Sequence, residues 1–418
     1  MIEYIIRQRK ALGGRPATMP WVAIGALGLG MVSLAGHAEI ILYTVLVMGF
    51  YAVCRLGVVA SREREWSALI RPVVAVGAMV ALGVALGGVQ LVPLVEALRD
   101  NFREGAATLA QVQGWALPWR RLITSLMPNF FGNPSHHAYY DVFIGQEVPA
   151  TINALGQPIN TIDWGIKNYV EGGAYLGILT LALALIGLLA PWLERRRAES
   201  APYAPHRVTF LALALLSFSF MFGTFTYALL YYGIPGVNQL HSPFRWIWPF
   251  SLSVAVLAGF GADALRRMRE ARAQPPAQGL EEWGAGEEPG EATWRLVRRV
   301  ERVLLLGGAA LIALLILSRL LFDSLEPRVD QVFHALARAP EAFADARMFY
   351  SYEFRQGFVL AVLLIGAGLV LRLSRSRRKV LGVPAWEPLA VGVIAVDLMV
   401  AAWGFYPAAD PALLDFEP

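Results

Sequence analysis

From Pro20 to Ala60 the chain runs through 41 largely apolar residues, and the main polar interruption is Gly36-His37-Ala38-Glu39 near the midpoint. As one helix at 1.5 Å per residue, that run would be about 60 Å long, twice the roughly 30 Å hydrocarbon core of a bilayer. It must therefore double back, and the Gly-His-Ala-Glu tetrapeptide is the natural turn of a helical hairpin. His37 and Glu39 are then expected at the outer membrane surface, either as a hydrated turn or as one wall of a site.

Apolar runs of this kind recur. Crossings are expected near 19–35, 39–59, 70–97, 171–192, 208–231, 244–264, 303–322, 356–373 and 386–405, which defines an all-α polytopic transmembrane helical bundle of about nine spans. Composition agrees, with 56% hydrophobic and only 16% charged residues. The start, MIEYIIRQRKALGGR, lacks the small-residue cleavage pattern of a secretory signal peptide. The single cysteine, Cys54, excludes an internal disulfide framework and any cysteine-based metal site.

Of the 36 Lys and Arg residues, 25 fall in 1–19, 55–71, 195–207, 266–302 and 372–379. These are the segments that lie inside if the N-terminus is cytoplasmic, so the positive-inside rule gives a cytoplasmic N-terminus and an extracytoplasmic C-terminus. The net charge of +4 thus reflects membrane orientation, and no nucleic-acid partner is expected. The organisation reads as a hairpin plus third span (1–98), an outer loop (99–170), spans four to six (171–265), a flexible cytoplasmic linker rich in Pro, Gly, Ala and Glu (266–302), spans seven to nine with an outer loop at 323–355 (303–405), and the start of an outer tail (406–418).

In the first outer loop, Trp119, Leu122, Ile123, Leu126 and Met127 fall on one face of an α-helix and Arg120, Arg121, Thr124 and Ser125 on the other. This pattern predicts a short helix lying in the membrane interface, with its arginines toward lipid phosphates.

Polar groups collect at the outer ends of the spans. Gln90 and Glu96 lie on the third, followed by Arg99 and Arg103; Glu96 shares a face with Arg103, and Gln90 looks elsewhere. In VNQLHSPFRWIWPF, Ser242 and Pro243 read as N-cap and first residue of a helix whose free N–H groups face outward. Arg245 sits in that first turn, where the helix dipole disfavours a cation unless an anion answers both. Arg245, the helix start and His241 therefore suit a phosphate; the alternatives are that Arg245 snorkels to the interface or pairs with an outer-loop carboxylate. Trp246 and Trp248 read as aromatic-belt anchors. Asp397 falls inside the last span, where a hydrogen bond to a Ser, Tyr or backbone group on another helix is expected in preference to a proton relay. His136-His137 with Asp141 is the one arrangement that could take a divalent cation, but adjacent histidines rarely point at one ion, and no metal ligand is assigned.

Several of these blocks, in order, resemble one family. They are the Gly-His hairpin followed by Tyr43, VQLVPLVEALRDNFR at 89–103, LMPNFFG at 126–132, NYVEGGAYLGILTLALALIGLL at 168–189, PGVNQLHSPFRWIWPFSLSVAVLAGFGADAL at 235–265, and Asp397-Leu398 running out to FYPAADP. They look like the YfhO-like bacterial membrane proteins of the GT-C glycosyltransferase class. The resemblance implies a multi-pass enzyme of the bacterial plasma membrane that takes a sugar from a polyprenyl-phosphate carrier and transfers it to a cell-envelope acceptor. Such chemistry needs a general base for the acceptor hydroxyl, for which Glu39 and His37 are the candidates in this chain, and cationic stabilisation of the leaving lipid phosphate, for which Arg103 and Arg245 are. The family's essential acidic residue usually lies in an amino-terminal part that precedes the Gly-His hairpin. Three readings follow: the chain is the central piece of a longer protein or of a split one whose missing helices a partner chain supplies, Glu39 or another outer carboxylate has taken over, or the chain is not a catalyst; the first is the expectation. A flippase of lipid-linked saccharides and a non-catalytic scaffold of an envelope-assembly complex are the rival readings.

Overall fold

A computed structural model describes residues 1–8, 18–63, 67–99, 107–167, 169, 172–193, 204–240, 242–273, 291–336 and 338–405. In chain order the helices are α1 (Ile2–Arg7), α2 (Met19–Leu34), α3 (Ala38–Glu63), α4 (Ser67–Leu86), α5 (Gly88–Arg99), α6 (Leu109–Gly114), α7 (Ile178–Leu193) and α8 (Ala204–Met221). They continue as α9 (Ala228–Gly233), α10 (Ile247–Ala273), α11 (Glu291–Leu320), α12 (Phe322–Ala335), α13 (Ala339–Ala342), α14 (Ala346–Ser374) and α15 (Trp386–Ala401). Two antiparallel hairpins complete the set, β1 (Ala138–Asp141) with β2 (Gln146–Pro149), and β3 (Lys379–Val380) with β4 (Val383–Pro384).

The protein is a mostly helical membrane protein. Six helices are long and apolar enough to cross a bilayer: Ala38–Arg62, Ser67–Leu86, Ala204–Met221, Pro243–Ala271, Glu291–Leu320 and Ala346–Ser374. α11 shows the membrane signature most plainly, because its Val303, Leu306, Leu314 and Leu317 are all more than half exposed. A helix in water would not display such a stripe. The other three predicted crossings coincide with α2, α7 and α15, each 16 residues long.

Packing divides the chain into two units, Met1–Ala116 with Ala201–Phe250, and Leu117–Ser200 with Ser251–Pro418. In the first, α2 and α3 form the anticipated hairpin, with Gly36 at φ +77 closing α2. α2 lies against α4, where a Cβ on Gly83 would fall 3.0 Å from the Ala26 carbonyl; just past α4, one on Gly87 would fall 2.3 Å from the Ser33 Cβ. α1 is pinned by burial of Ile5 and Ile6 and by Glu3, which accepts hydrogen bonds from Arg55 (2.8 and 3.0 Å) and Arg7 (2.8 Å).

In the second unit α11 and α14 run side by side, so close at Gly308 that a Cβ there would sit 2.8 Å from the carbonyl of Ala361. The loop after α6 and the segment from α12 to the first turn of α14 share one core, in which Phe131, Ile162 and Trp164 pack on Phe333, Phe343 and Phe349. The two segments expected on the outer face are thus one lobe.

Several expectations are corrected. The span drawn through 70–97 breaks at Gly87, between α4 and α5, where the close approach of Ser33 leaves no room for a side chain. The span at 171–192 becomes helical only at Ile178, and that at 208–231 stops at Met221, where the hydroxyls of Ser219, Thr224 and Thr226 bond to one another across the turn that follows. The linker drawn at 266–302 is helical at both ends: α10 runs to Ala273 and α11 starts at Glu291, leaving 274–290 outside the described residues. Charge concealed the start of α11, whose buried stripe of Trp294, Val297, Glu301 and Leu304 is amphipathic rather than apolar. Finally, Trp119–Ser125 is a 3₁₀ helix, not an α-helix. Its three-residue period puts Arg121 and Thr124 on one buried face and leaves Trp119 and Leu122 exposed, so Arg121 points inward.

Candidate functional site

Of the residues singled out in the first unit, Glu39 and Arg245 meet, in a closed cluster. Glu39, on the first turn of α3 and 8% exposed, accepts hydrogen bonds from the Tyr43 hydroxyl (2.8 Å) and from the Arg245 guanidinium. Tyr43 and Trp246 are buried together, with ring centroids 5.0 Å apart, and Phe220 lies edge-on to the same indole. Pro243 does open the helix, as a 3₁₀ turn leading into α10. Arg245 thus pairs with a carboxylate, Glu39, one of the three readings the sequence left open. Trp246 is a core residue rather than a belt anchor.

His37 is exposed and its Nδ1 lies 3.5 Å from the Ile40 N–H, as a weak cap on α3. The Gln90 amide sits beside the hairpin turn, where a Cβ on Gly36 would lie 3.3 Å from its Nε2, while Glu96 is exposed further along α5. Arg103 and His241 lie outside the described residues.

Arg121 is not a lipid contact. Only 3% exposed, it donates to the Lys167 carbonyl (2.5 Å) and covers the Phe131 ring. The two adjacent histidines diverge as well: His136 Nδ1 is 2.8 Å from the Tyr352 hydroxyl and His137 Nδ1 is 2.7 Å from the Asn160 carbonyl. Among the described residues no three His, Cys, Asp or Glu side chains gather as a metal-binding group.

A second polar cluster, in the second unit, surrounds a cavity of about 270 Å³. Asn129, His136, Tyr175, Arg355, Gln356 and Asp397 supply its polar lining. Arg355 is exposed and makes no hydrogen bond or ion pair with any described residue. Burial, and then the nearby charge of Arg355, hold the His136 imidazole down at about 4, so it is neutral at pH 7. Asn129 is oriented by Asn133 (3.1 Å) and by the Tyr169 hydroxyl (2.5 Å).

Asp397 accepts hydrogen bonds from the Tyr175 hydroxyl and from the backbone N–H of Ile178 (2.9 Å), the first residue of α7. A carboxylate on α15 thus caps another helix, at the positive end of its dipole. This is the Tyr and backbone bonding that the sequence favoured for Asp397.

The remaining lining is apolar and follows from helical spacing. On α14, Arg355 and Gln356 are succeeded by Val359, Leu360 and Leu363 on the same side, over about 12 Å of helix, with Val400 and Trp403 opposite. The lining therefore combines polar side chains with a run of apolar ones.

Arg355 and Tyr175 escaped the sequence reading. The signal was present: an arginine and a glutamine at the head of an apolar run, in SYEFRQGFVLAVLL, fall on one face with the apolar residues four and eight positions later. Glu353 was missed too, and both its carboxylate oxygens are buried without a hydrogen-bond partner among the described residues.

Comparison of the chain with protein-family models, with curated proteins and with solved structures finds no significant match.

Proposed function

We propose that this membrane protein is a glycosyltransferase that takes a sugar from a polyprenyl-phosphate carrier at the outer face of a bacterial plasma membrane and passes it to an envelope acceptor. The observation that carries the reading is the amphipathic cavity of the second unit. A lipid phosphate needs a cation and hydrogen-bond donors beside a greasy channel, and the lining offers both within one helix length. Arg355 takes the phosphate, Val359, Leu360 and Leu363 take the first isoprene units, and Asn129 and Gln356 supply amides suited to sugar hydroxyls.

In this reading Asp397, the acidic residue of the described lining, is the general base in place of Glu39. The acceptor oxygen attacks the anomeric carbon and its proton passes to the carboxylate, while the bond from the anomeric carbon to the phosphate oxygen breaks. The electron pair leaves on the phosphate, where Arg355 stabilises it. The GT-C-like character, nine crossings, cytoplasmic N-terminus and extracytoplasmic C-terminus belong to the same proposal, supported by the order of the YfhO-like blocks and by the bias of Lys and Arg.

The test is transfer of radiolabelled sugar from polyprenyl-phosphate-sugar by proteoliposomes. Asp397→Asn is expected to lower the rate by roughly 10²-fold or more, and Arg355→Gln to lower it as well. Unchanged transfer in both variants overturns the reading. Movement of the lipid-linked sugar across the bilayer without a new glycosidic bond points instead to a flippase.

A further inference from the structure

Among the described residues, one non-glycine has a positive φ: Leu381, at +52°. With Gly382 at +82° it forms the two-residue tip of the β3–β4 hairpin, beyond the Val380–Val383 pair. Asn-Gly or Asp-Gly ordinarily fills such a turn. Leucine there costs about 1–2 kcal/mol of backbone strain. Its side chain is also 98% exposed, between Val380 and Val383 at 48% and 43%. In water nothing offsets either cost.

The residues before the tip are cationic. Arg377, Arg378 and Lys379 are exposed, and their side chains make no hydrogen bond or ion pair with any described residue. The base of the hairpin, in contrast, is tied down. Arg375 is held by Glu301 (2.5 Å), and the Arg378 carbonyl accepts from Arg269 (3.1 Å) and from the Ala385 N–H (3.1 Å). The tip is therefore a projecting element on a fixed base.

Position supplies the third constraint. α14 has 29 residues, so at 1.5 Å per residue it is about 43 Å long, more than the roughly 30 Å core. Its C-terminal end, where the hairpin begins, must lie where the bilayer meets water.

We propose that the β3–β4 hairpin is a docking element for anionic phospholipid. Leu381, Val380 and Val383 insert at the boundary of headgroups and acyl chains, and Arg377, Arg378 and Lys379 contact headgroup phosphates. Lipid accounts for the strained, bare leucine and for the unanswered cations at once, and it is the partner that the boundary position guarantees.

The chain's single cysteine makes the test direct. In a Cys54→Ala background, a nitroxide label is placed through Leu381→Cys and the protein is put into nanodiscs of phosphatidylcholine with and without phosphatidylglycerol. The proposal expects dissolved oxygen to relax the label more than a water-soluble nickel complex does in the anionic nanodiscs. It also expects retention of anionic over zwitterionic lipid, read by native mass spectrometry, to fall roughly 5-fold for each of Arg377→Gln, Arg378→Gln and Lys379→Gln. Stronger relaxation by nickel in both bilayers places the tip in water, and shielding from both reagents places it against protein; either result, or unchanged lipid retention, overturns the proposal. A second variant reads the sign. Leu381→Asn suits the turn, so it lowers the unfolding temperature in anionic nanodiscs if the leucine is in lipid and raises it if the leucine is in water.

Discussion

Arg245, in the first turn of the helix opened by Pro243, donates a hydrogen bond to the carboxylate of Glu39 in the first turn of α3. The pair is largely shielded, with side chains 19% and 9% exposed. Each charge answers the other, and the helix start gains an anion at its positive end.

The first prediction follows from that shielding. Arg245→Leu leaves Glu39 buried and unpaired and should cost about 3 kcal/mol or more of stability. Adding Glu39→Gln should recover most of it. Thermal unfolding of the two single variants and the double variant in detergent measures the coupling; a double variant as unstable as the sum of the singles removes the ion pair from the account.

The cap on α7 gives a second prediction. Asp397→Ala strands the Ile178 N–H and the Tyr175 hydroxyl and should cost about 1–3 kcal/mol. Gly177→Ala should also destabilise, because φ is +87 there and the new Cβ would lie 3.1 Å from Asp397 Oδ2. Hydrogen exchange at the first turn of α7 reads the effect locally, and protection there equal to wild type in Asp397→Ala would show that the cap contributes nothing.

The acid side of the stability curve gives a third. His136 binds its proton at about 4 when folded and at about 6.5 when unfolded, so between these values the unfolded chain holds more protons. Stability conferred by the neutral, half-buried imidazole is complete above about pH 6.5 and is lost as pH falls toward 4, by about 1–3 kcal/mol once solvent screening is allowed for. His136→Gln should flatten unfolding temperature against pH across that window. A slope equal to wild type would show that His136 is not the group responsible.

How far the sequence revealed this molecule depended on where its signals were simple. The hairpin at Gly36 was legible because only length and a break were needed, and Asp397 because a carboxyl among apolar residues must find a partner. The start of α11 was hidden because Arg295, Arg299 and Arg302 fill its solvent face and Glu301 sits in its buried stripe, so hydropathy dropped while periodicity persisted. Arg121 was turned the wrong way because a 3.6-residue period was applied to a helix that has a period of three. The cavity could not be read from any one stretch, since Asn129, Tyr175, Arg355 and Asp397 come from four separate segments.

A fourth prediction concerns Glu353, buried on α14 without a hydrogen-bond partner among the described residues. An unsatisfied buried carboxyl is a burden on the fold, so Glu353→Leu should raise stability by about 1–3 kcal/mol. If sugar transfer persists in this stabilised variant, Glu353 is dispensable for the proposed chemistry; a fall in stability would mean that the carboxyl makes an interaction that supports the fold.

The central claim, that the cavity of the second unit seats a lipid phosphate, is tested most directly by equilibrium binding of a sugar-free polyprenyl phosphate to the purified protein in nanodiscs. Arg355→Gln should weaken binding about 10-fold or more, the effect of losing a charged hydrogen bond, whereas the Arg245→Leu, Glu39→Gln double variant should bind as wild type does. Wild-type affinity in Arg355→Gln would contradict the claim.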